Sequence, residues 1–451
     1  MRELTARAGM TIRASTGLES LDAPDRMSTI FFSRASAGDV LRLLDDVYLF
    51  NVATYDPNVD EKYIYTYAYQ ANESWLSYNG DLSGDTYRRD DYVFSKTLYF
   101  RVCLKRANGA DIRDEEAANI DKILVFETAT SPNGGGPSAR TPLFLTAETD
   151  RVVRKIEEKR RSDSLVFALL SDTHITVNGT FGDTVASLKA VHKHADFDGV
   201  VFLGDLTDGM VTAAATRRYT KDAIGELRSL GVPLYMVIGN HDANYFAGNR
   251  EPFSIKEQCA LYLSHSDDYV VRETDNPWYY VDFPDRGLRF VFLHSFDGRE
   301  EARYGFSDEC LLWLKAALAA APPCTDIVVF SHLTPLVKLQ YWTDRIRGGH
   351  ELVGILEAHG ARPGAGKILA YINGHNHADQ VYEGLSFPII SVGCAKTECF
   401  EAYKPAGSHT PARRLGDASQ ELWDALLIAP SEKHLDFVRF GAGEDRTITV
   451  K

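Results

Sequence analysis

Seven side chains with metal-ligand chemistry stand in short polar clusters, each directly after an apolar run. Ser171-Asp172-Thr173-His174 follows the run at 165–170, and Gly204-Asp205-Leu206-Thr207-Asp208 follows 199–203. Gly239-Asn240-His241-Asp242 follows 232–238, Ser331-His332 follows 326–330, and Gly374-His375-Asn376-His377 follows 368–372. Apolar runs of this length, bounded by turn residues, read as buried strands. In an open α/β sheet the ligand crevice lies at the carboxyl ends of the strands, so five such clusters can converge on one place. Buried together without partners, Asp, His and Asn would each cost several kcal/mol, and a bound divalent cation satisfies them at once. Asp172, His174, Asp205, Asn240, His332, His375 and His377 offer four imidazoles, two carboxylates and one amide oxygen. That is too many for one tetrahedral ion and suits two ions sharing a bridging carboxylate. The mixed nitrogen and oxygen set, without thiolate, favours Mn, Fe, Zn, Co or Ni over calcium and disfavours a structural zinc site. Gly204, Gly239 and Gly374 permit the tight turns that bring adjacent side chains close to an ion.

Taken in order, the blocks D-x-H, G-D-x-x-D, G-N-H-D, H and G-H-x-H resemble the calcineurin-like metallophosphoesterase family between Asp172 and His377. The resemblance implies an α/β fold, a four-layer α/β/β/α sandwich, and a phosphoric ester hydrolase with two metal ions, Mn, Fe or Zn. It implies one metal on Asp172, His174 and His377, the other on Asn240, His332 and His375, and Asp205 as the bridge. His241 would not bind metal. It would contact the phosphate and protonate the leaving oxygen, with Asp208 as its hydrogen-bonded partner. Two ions about 3.5–4 Å apart can deprotonate a bridging water, which then attacks phosphorus in line. A carboxylate such as Asp208 is expected to raise the pKa of His241 and keep it protonated at neutral pH. Purple acid phosphatases, which share this metal scaffold, carry a tyrosine where this sequence has Asp208, which argues against the iron–tyrosinate subgroup.

The elements that must position these clusters are legible in pattern. From residue 165 onward apolar runs alternate with helical patterns: 184–194 and 213–230 read as helices, 278–283, 288–293 and 389–392 as further strands, 307–320 as an amphipathic helix. Such alternation implies α/β layers with both sheet faces covered. The runs 422–428 and 435–440, split by a Pro-containing turn, read as a closing hairpin, and 151–161 as a charged helix. Residues up to about 127 alternate instead with period two, as in Tyr63 to Tyr69 and Leu98 to Lys105, where Leu98, Phe100, Val102 and Leu104 face inward. Turn signals at Asn79-Gly80-Asp81 and Asn108-Gly109 complete the pattern of a separate N-terminal all-β sandwich. One short helix is expected near 37–45. The Gly/Pro/Ser-rich stretch 130–138 reads as a linker, giving an accessory β-domain at 1–145 and a catalytic domain at 146–451.

At 451 residues the chain is too long for one core, and 25% charged with 44% hydrophobic residues is ordinary for a soluble globular protein. A formal charge of −14 argues against general nucleic-acid binding or attraction to anionic membrane. Cys103, Cys259, Cys310, Cys324, Cys394 and Cys399 are scattered without CxxC pairs and read as mostly buried thiols. No secretory signal or membrane span is seen, so cytoplasmic is the default location, with extracellular or virion-associated settings open.

Substrate recognition is read less sharply. Tyr245, Phe246 and Arg250, and Lys338, Tyr341, Trp342, Arg345 and Arg347, could supply rings and cations at a cleft rim, or be ordinary solvated loop residues. The segments 243–330 and 333–349 could accommodate groups on both sides of phosphorus, so a phosphodiester is slightly preferred, with phosphomonoester or nucleotide pyrophosphate hydrolysis the alternative. His192, His194, His265, His294, His350, His359, His409 and His434 lie in no block and read as surface or core residues. Asn72-Glu73-Ser74 and Asn178-Gly179-Thr180 read as chance glycosylation matches. The tyrosines and Trp75 of the β-domain resemble those of accessory, often carbohydrate-binding-like modules on bacterial and phage hydrolases, and 438–446 resembles the endings of bacterial metallophosphoesterases. The reading from another class is a surface binding or adhesion protein in which the phosphoesterase domain is secondary.

Overall fold

The computed structural model describes the chain apart from residues 1–3, 5, 13–18, 21, 30–32, 56–86, 96–97, 128–140, 176–179, 210–212, 246–250, 264–269, 274, 297–302, 399–402, 415 and 451. Contacts divide it into two units: Met1–Arg140 with Thr176–Gly182 and Arg414–Gly416, and the remaining Thr141–Ile175, Asp183–Arg413 and Asp417–Lys451. The Tyr63 to Tyr69 run, Asn72, Trp75, Asn79-Gly80-Asp81, the 130–138 linker, Asn178, Phe246, Arg250, His265 and Cys399 lie outside the described residues.

The first unit is built on antiparallel strands. Leu98–Arg106 pairs with Arg26–Thr29, Ser33–Ala35 and Tyr48–Tyr55, while Val40–Leu43 lies between Leu124–Glu127 and Tyr92–Val93. Leu98, Phe100, Val102 and Leu104 are buried as the alternation requires, and Phe94, Phe100 and Phe126 meet at the centre of the core. The helix expected near 37–45 is a strand, Val40–Leu43. Pairing on both sides outweighs local propensity there: Leu41 points into the core, and exposed Arg42 reaches across to Asp91 and Glu127.

In the second unit every strand carrying a polar cluster is almost wholly buried, since both faces of its sheet are covered. One sheet has six strands in the order Leu234–Met236, Gly199–Phe202, Leu165–Leu170, Leu422–Ala429, His434–Gly441, Arg446–Thr449; the first three are parallel and the hairpin adds on antiparallel. The other has seven, with Leu288–Phe292, Asp326–Ser331, Ile368–Asn373 and Ile389–Ser391 parallel at its centre. The sheets meet face to face through rings: Phe167 on the first lies 4.9 Å from Phe290 on the second, and Tyr235 lies 5.9 Å from Phe292. On the outer face of the first sheet lies Phe181–Ala195, whose Ser187 Oγ accepts from Trp423 Nε1 at 2.9 Å. Over the second lie Asp308–Ala319 and Gly349–Gly360, contributing Leu311, Leu314, Leu318, Leu352 and Leu356 to a core shared with Ile327, Val329 and Ile368. Asp308–Ala319 starts where Ser307 accepts a hydrogen bond from the Cys310 N–H, with Asp308 and Glu309 in the first turn. The result is the four-layer α/β/β/α sandwich. Among the described residues, no helix is long and apolar enough to cross a membrane.

One buried carboxyl gives this unit a pH dependence. Glu421 accepts from Thr184 Oγ1 at 2.6 Å and Gln420 Nε2 at 2.9 Å, yet burial, and then neighbouring Asp183, push its pKa up from 4.5 to about 7. The folded state therefore takes this proton more readily than the unfolded chain. The stability it contributes is full below about pH 4.5 and is lost as pH rises towards about 7. Glu421→Gln, which mimics the protonated acid, is expected to flatten that slope and to stabilise the protein at pH 8 by up to roughly 3 kcal/mol. Urea unfolding at pH 5 and pH 8 checks it; an unchanged difference between the two pH values in the variant rejects the assignment.

Candidate metal centre

The strand ends bring six of the seven predicted ligand residues together, Asp172, His174, His377, Asp205, His332 and His375, while Asn240 follows a further strand end; every one of the seven is buried. The turns that do this are tight enough to force unusual backbone: Asp172, His174, Asp205, His375 and His377 have φ of 53°, 42°, 55°, 67° and 51°. Non-glycine residues rarely adopt that left-handed region, and such outliers concentrate at functional sites. Neighbouring backbone must also come close. A Cβ on Gly374 would lie 1.9 Å from Ser171 Oγ, and one on Gly239 would lie 2.2 Å from Asp205 Oδ1.

Nitrogen and oxygen lone pairs converge on two points. His174 Nε2 and His377 Nε2 lie 3.1 Å apart, with Asp172 Oδ1 3.2 Å from the latter. His375 Nδ1 and His332 Nε2 lie 3.3 Å apart, with Asp205 Oδ2 3.2 Å from the latter. Asp205 Oδ2 is also 3.9 Å from His174 Nε2, so this one carboxylate reaches both sets. Grouped by ligand atoms within 4.8 Å of one another, Asp172, His174 and His377 form one cluster that could hold a metal ion and Asp205, His332 and His375 another. Asp172 Oδ1 and Asn240 Oδ1 are buried with no hydrogen-bond partner among the described residues. Polar atoms left so are costly unless something else meets them, and a cation does. Charge balance points the same way: burial works against protonating His332, yet Asp205 and Asp172 hold its pKa up at about 9, so the carboxylates favour a positive charge here.

The outward-facing ring nitrogens are tied down. His332 Nδ1 donates to the Leu203 carbonyl at 2.6 Å, and His377 Nδ1 lies 2.8 Å from Glu398 Oε2. Burial pushes the Glu398 carboxyl up, but Lys404 and His377 together hold it well below the usual range. Asp242, the last residue of its block, accepts the backbone N–H groups of Gly239, Asp205, Leu206 and Thr207 and so locks two ligand-bearing turns together.

His241 and Asp208 stand beside the clusters in an arrangement the sequence did not predict. His241 Nδ1 donates to the Asp208 backbone carbonyl at 2.8 Å, while the Asp208 carboxylate lies 3.4 Å from His174 Nδ1. The carbonyl occupies the place expected for the carboxylate, because the turn after Asp205 folds the main chain towards the ring. Burial, reinforced by His174 and Arg303 and opposed by Asp205, lowers His241 to about 4 rather than raising it.

Around the clusters, Phe296 packs 5.6 Å from the His332 ring and Tyr304 5.7 Å from the His375 ring. Arg303, which carries no motif signature, donates to the carbonyls of Asn240 and Tyr245 at 3.2 and 3.0 Å, its guanidinium 5.1 Å from the Tyr245 ring. Of the predicted rim residues, Tyr341 and Trp342 form an aromatic group with Tyr403, and Lys338 lies over the Tyr382 ring. Arg347 is instead paired through its backbone to Gly305 and Phe306, and the Arg345 carbonyl accepts from Thr343 Oγ1.

Residues 165–379 match the family described as calcineurin-like phosphoesterase. Among solved structures, this chain is similar to a dimetal phosphatase from Danio rerio at 19% identity, covering 64% of this chain and 99% of that one, with a TM-score of 0.43. It is similar to a purple acid phosphatase from yellow lupin (Lupinus luteus) seeds at 10% identity, covering 94% and 72%, with a TM-score of 0.45. It is also similar to a phosphopantetheinyl hydrolase from Mycobacterium tuberculosis at 13% identity, covering 52% and 91%, with a TM-score of 0.31. No curated protein matches the chain.

Proposed function

We propose that this phosphoesterase domain hydrolyses phosphate esters with two metal ions, one held by Asp172, His174 and His377 and the other by Asn240, His332 and His375, with Asp205 between them. The observation that carries this reading is the meeting of two pairs of imidazole nitrogens, 3.1 and 3.3 Å apart, on either side of one carboxylate. Bound there, the ions, Mn, Fe or Zn by their ligand set, would activate water and neutralise the phosphate oxygens. The chain's own residues do the rest. Burial excludes bulk water, Asp242 fixes the turns, and His241, anchored through Nδ1, presents Nε2, 3.8 Å from Asp205 Oδ2, to the leaving oxygen. Asp208 positions rings on both sides, His241 by its carbonyl and His174 by its carboxylate. A phosphodiester is preferred over a monoester or a nucleotide pyrophosphate, because Arg303 with the Tyr245 and Tyr304 rings offers a cation and ring faces beyond the ligands, where a second ester group can rest. The β-unit, at about 1–145, is an accessory module to this domain, at about 146–451.

Elemental analysis coupled to hydrolysis of bis-p-nitrophenyl phosphate and p-nitrophenyl phosphate, with Mn²⁺ and after chelation, tests the reading. Two metals per chain and metal-dependent turnover, faster on the diester, are expected. Neither metal nor turnover would leave a binding protein on a phosphoesterase fold.

A further inference from the structure

His377 is gripped from outside the ligand cluster by a side chain that belongs to none of the five sequence blocks. Its Nδ1 lies 2.8 Å from Glu398 Oε2, and Glu398 Oε1 lies 2.8 Å from Lys404 Nζ. The three side chains are only 5%, 1% and 6% exposed. On the other edge of the ring, Nε2 faces Asp172 Oδ1 at 3.2 Å and His174 Nε2 at 3.1 Å.

A neutral imidazole has one proton for two nitrogens, and the hydrogen bond at one decides which lone pair is open at the other. An ionised carboxylate only accepts, so Glu398 requires the proton on Nδ1 and leaves the Nε2 lone pair to the cluster. Lys404 supplies the counter-charge that a carboxylate so deeply buried needs. Cys394 also lies within ligand distance of His377 and Glu398, but a cation placed among these three would meet the Lys404 ammonium already paired there.

We propose that Glu398, backed by Lys404, is a positioning residue: it fixes the tautomer and orientation of His377 and so sets the affinity of the metal position shared with Asp172 and His174, and of that position alone. This rests on the two-metal reading above. Partners of this kind on metal-binding histidines are worth about 10–100-fold in metal affinity.

The test is Mn²⁺ binding to the metal-stripped full chain, followed by calorimetry and by equilibrium dialysis with elemental analysis. Wild type is expected to bind two Mn²⁺. Glu398→Gln, whose amide can donate to Nδ1 and turn the tautomer round, is expected to keep one site at wild-type affinity and weaken the other about 10–100-fold, with the circular dichroism of the metal-free protein unchanged. Equal affinity at both sites, or equal loss at both, overturns the proposal. Wild type that binds no Mn²⁺ overturns the two-metal reading and this proposal with it. If Glu398→Gln does not fold, wild type decides alone: in ¹⁵N-histidine spectra of the Zn²⁺-loaded protein His377 is expected as the Nδ1–H tautomer, and an unprotonated Nδ1 overturns the assignment.

Discussion

Asp205→Asn is expected to lose metal and turnover together, with kcat falling by more than the roughly 10–100-fold that outer partners of metal ligands cost. Asp205 Oδ2 is 3.2 Å from His332 Nε2 and 3.9 Å from His174 Nε2, so it is placed to serve both clusters, as is Asp172 Oδ1 at 3.2 Å from His377 Nε2 and 3.8 Å from His332 Nε2. An amide keeps the shape but removes the charge that holds two cations close together against their mutual repulsion. The backbone should not follow, because the Asp205 N–H is held by Asp242 Oδ2 at 2.9 Å whatever the side chain is. Its other oxygen accepts from the His241 N–H at 2.8 Å, which the amide oxygen can still do. Elemental analysis and kcat on the same preparation check this; two metals per chain with an unchanged rate would remove Asp205 from the bridge.

The second large effect is expected from His241→Ala, with both metals retained and turnover reduced about 10²–10⁴-fold, most for esters with poor leaving groups. Nothing in the geometry makes His241 indispensable for binding ions: its Nδ1 is committed to the Asp208 carbonyl, and its Nε2 is 3.8 Å from Asp205 Oδ2. Before substrate arrives the ring is neutral at neutral pH, since burial holds it at about 4. An anionic phosphoryl group beside it works in the opposite direction and favours the imidazolium. The dependence of rate on leaving-group pKa therefore separates a proton donor from a plain hydrogen-bond contact. An equal loss for nitrophenyl and alkyl esters rejects the donor role.

The candidate ligand residues were readable because most of them announce themselves twice, as a metal-binding side chain and as a polar position at or just past the end of a buried strand. Asp172, Asp205, Asn240, His332 and His375 all do so, and the glycines at 204, 239 and 374 mark where side chains had no room. What escaped the sequence depends on tertiary approach. Glu398 stands 21 residues after His377, beyond two strands, with nothing in its type or neighbours to mark it. Arg303 acts through backbone carbonyls, which carry no sequence signature. Asp208 was found as a residue but not as a geometry, since the main-chain oxygen rather than the carboxylate meets His241. The strand at Val40–Leu43 looks helical in isolation and is settled by its two neighbours in the sheet.

The left-handed backbone of Asp172, His174, Asp205, His375 and His377 reaches beyond catalysis. Each such residue costs on the order of 1 kcal/mol relative to ordinary backbone, and in a protein of ordinary marginal stability several of them are a heavy load. Ions that bind the folded chain and not the unfolded one would offset that load by mass action, more so the more freely they are supplied. If the proposed ions bind there, the folded chain is expected to gain stability as their supply rises, and a lower melting temperature after chelation, set against the metal-supplemented protein, checks it.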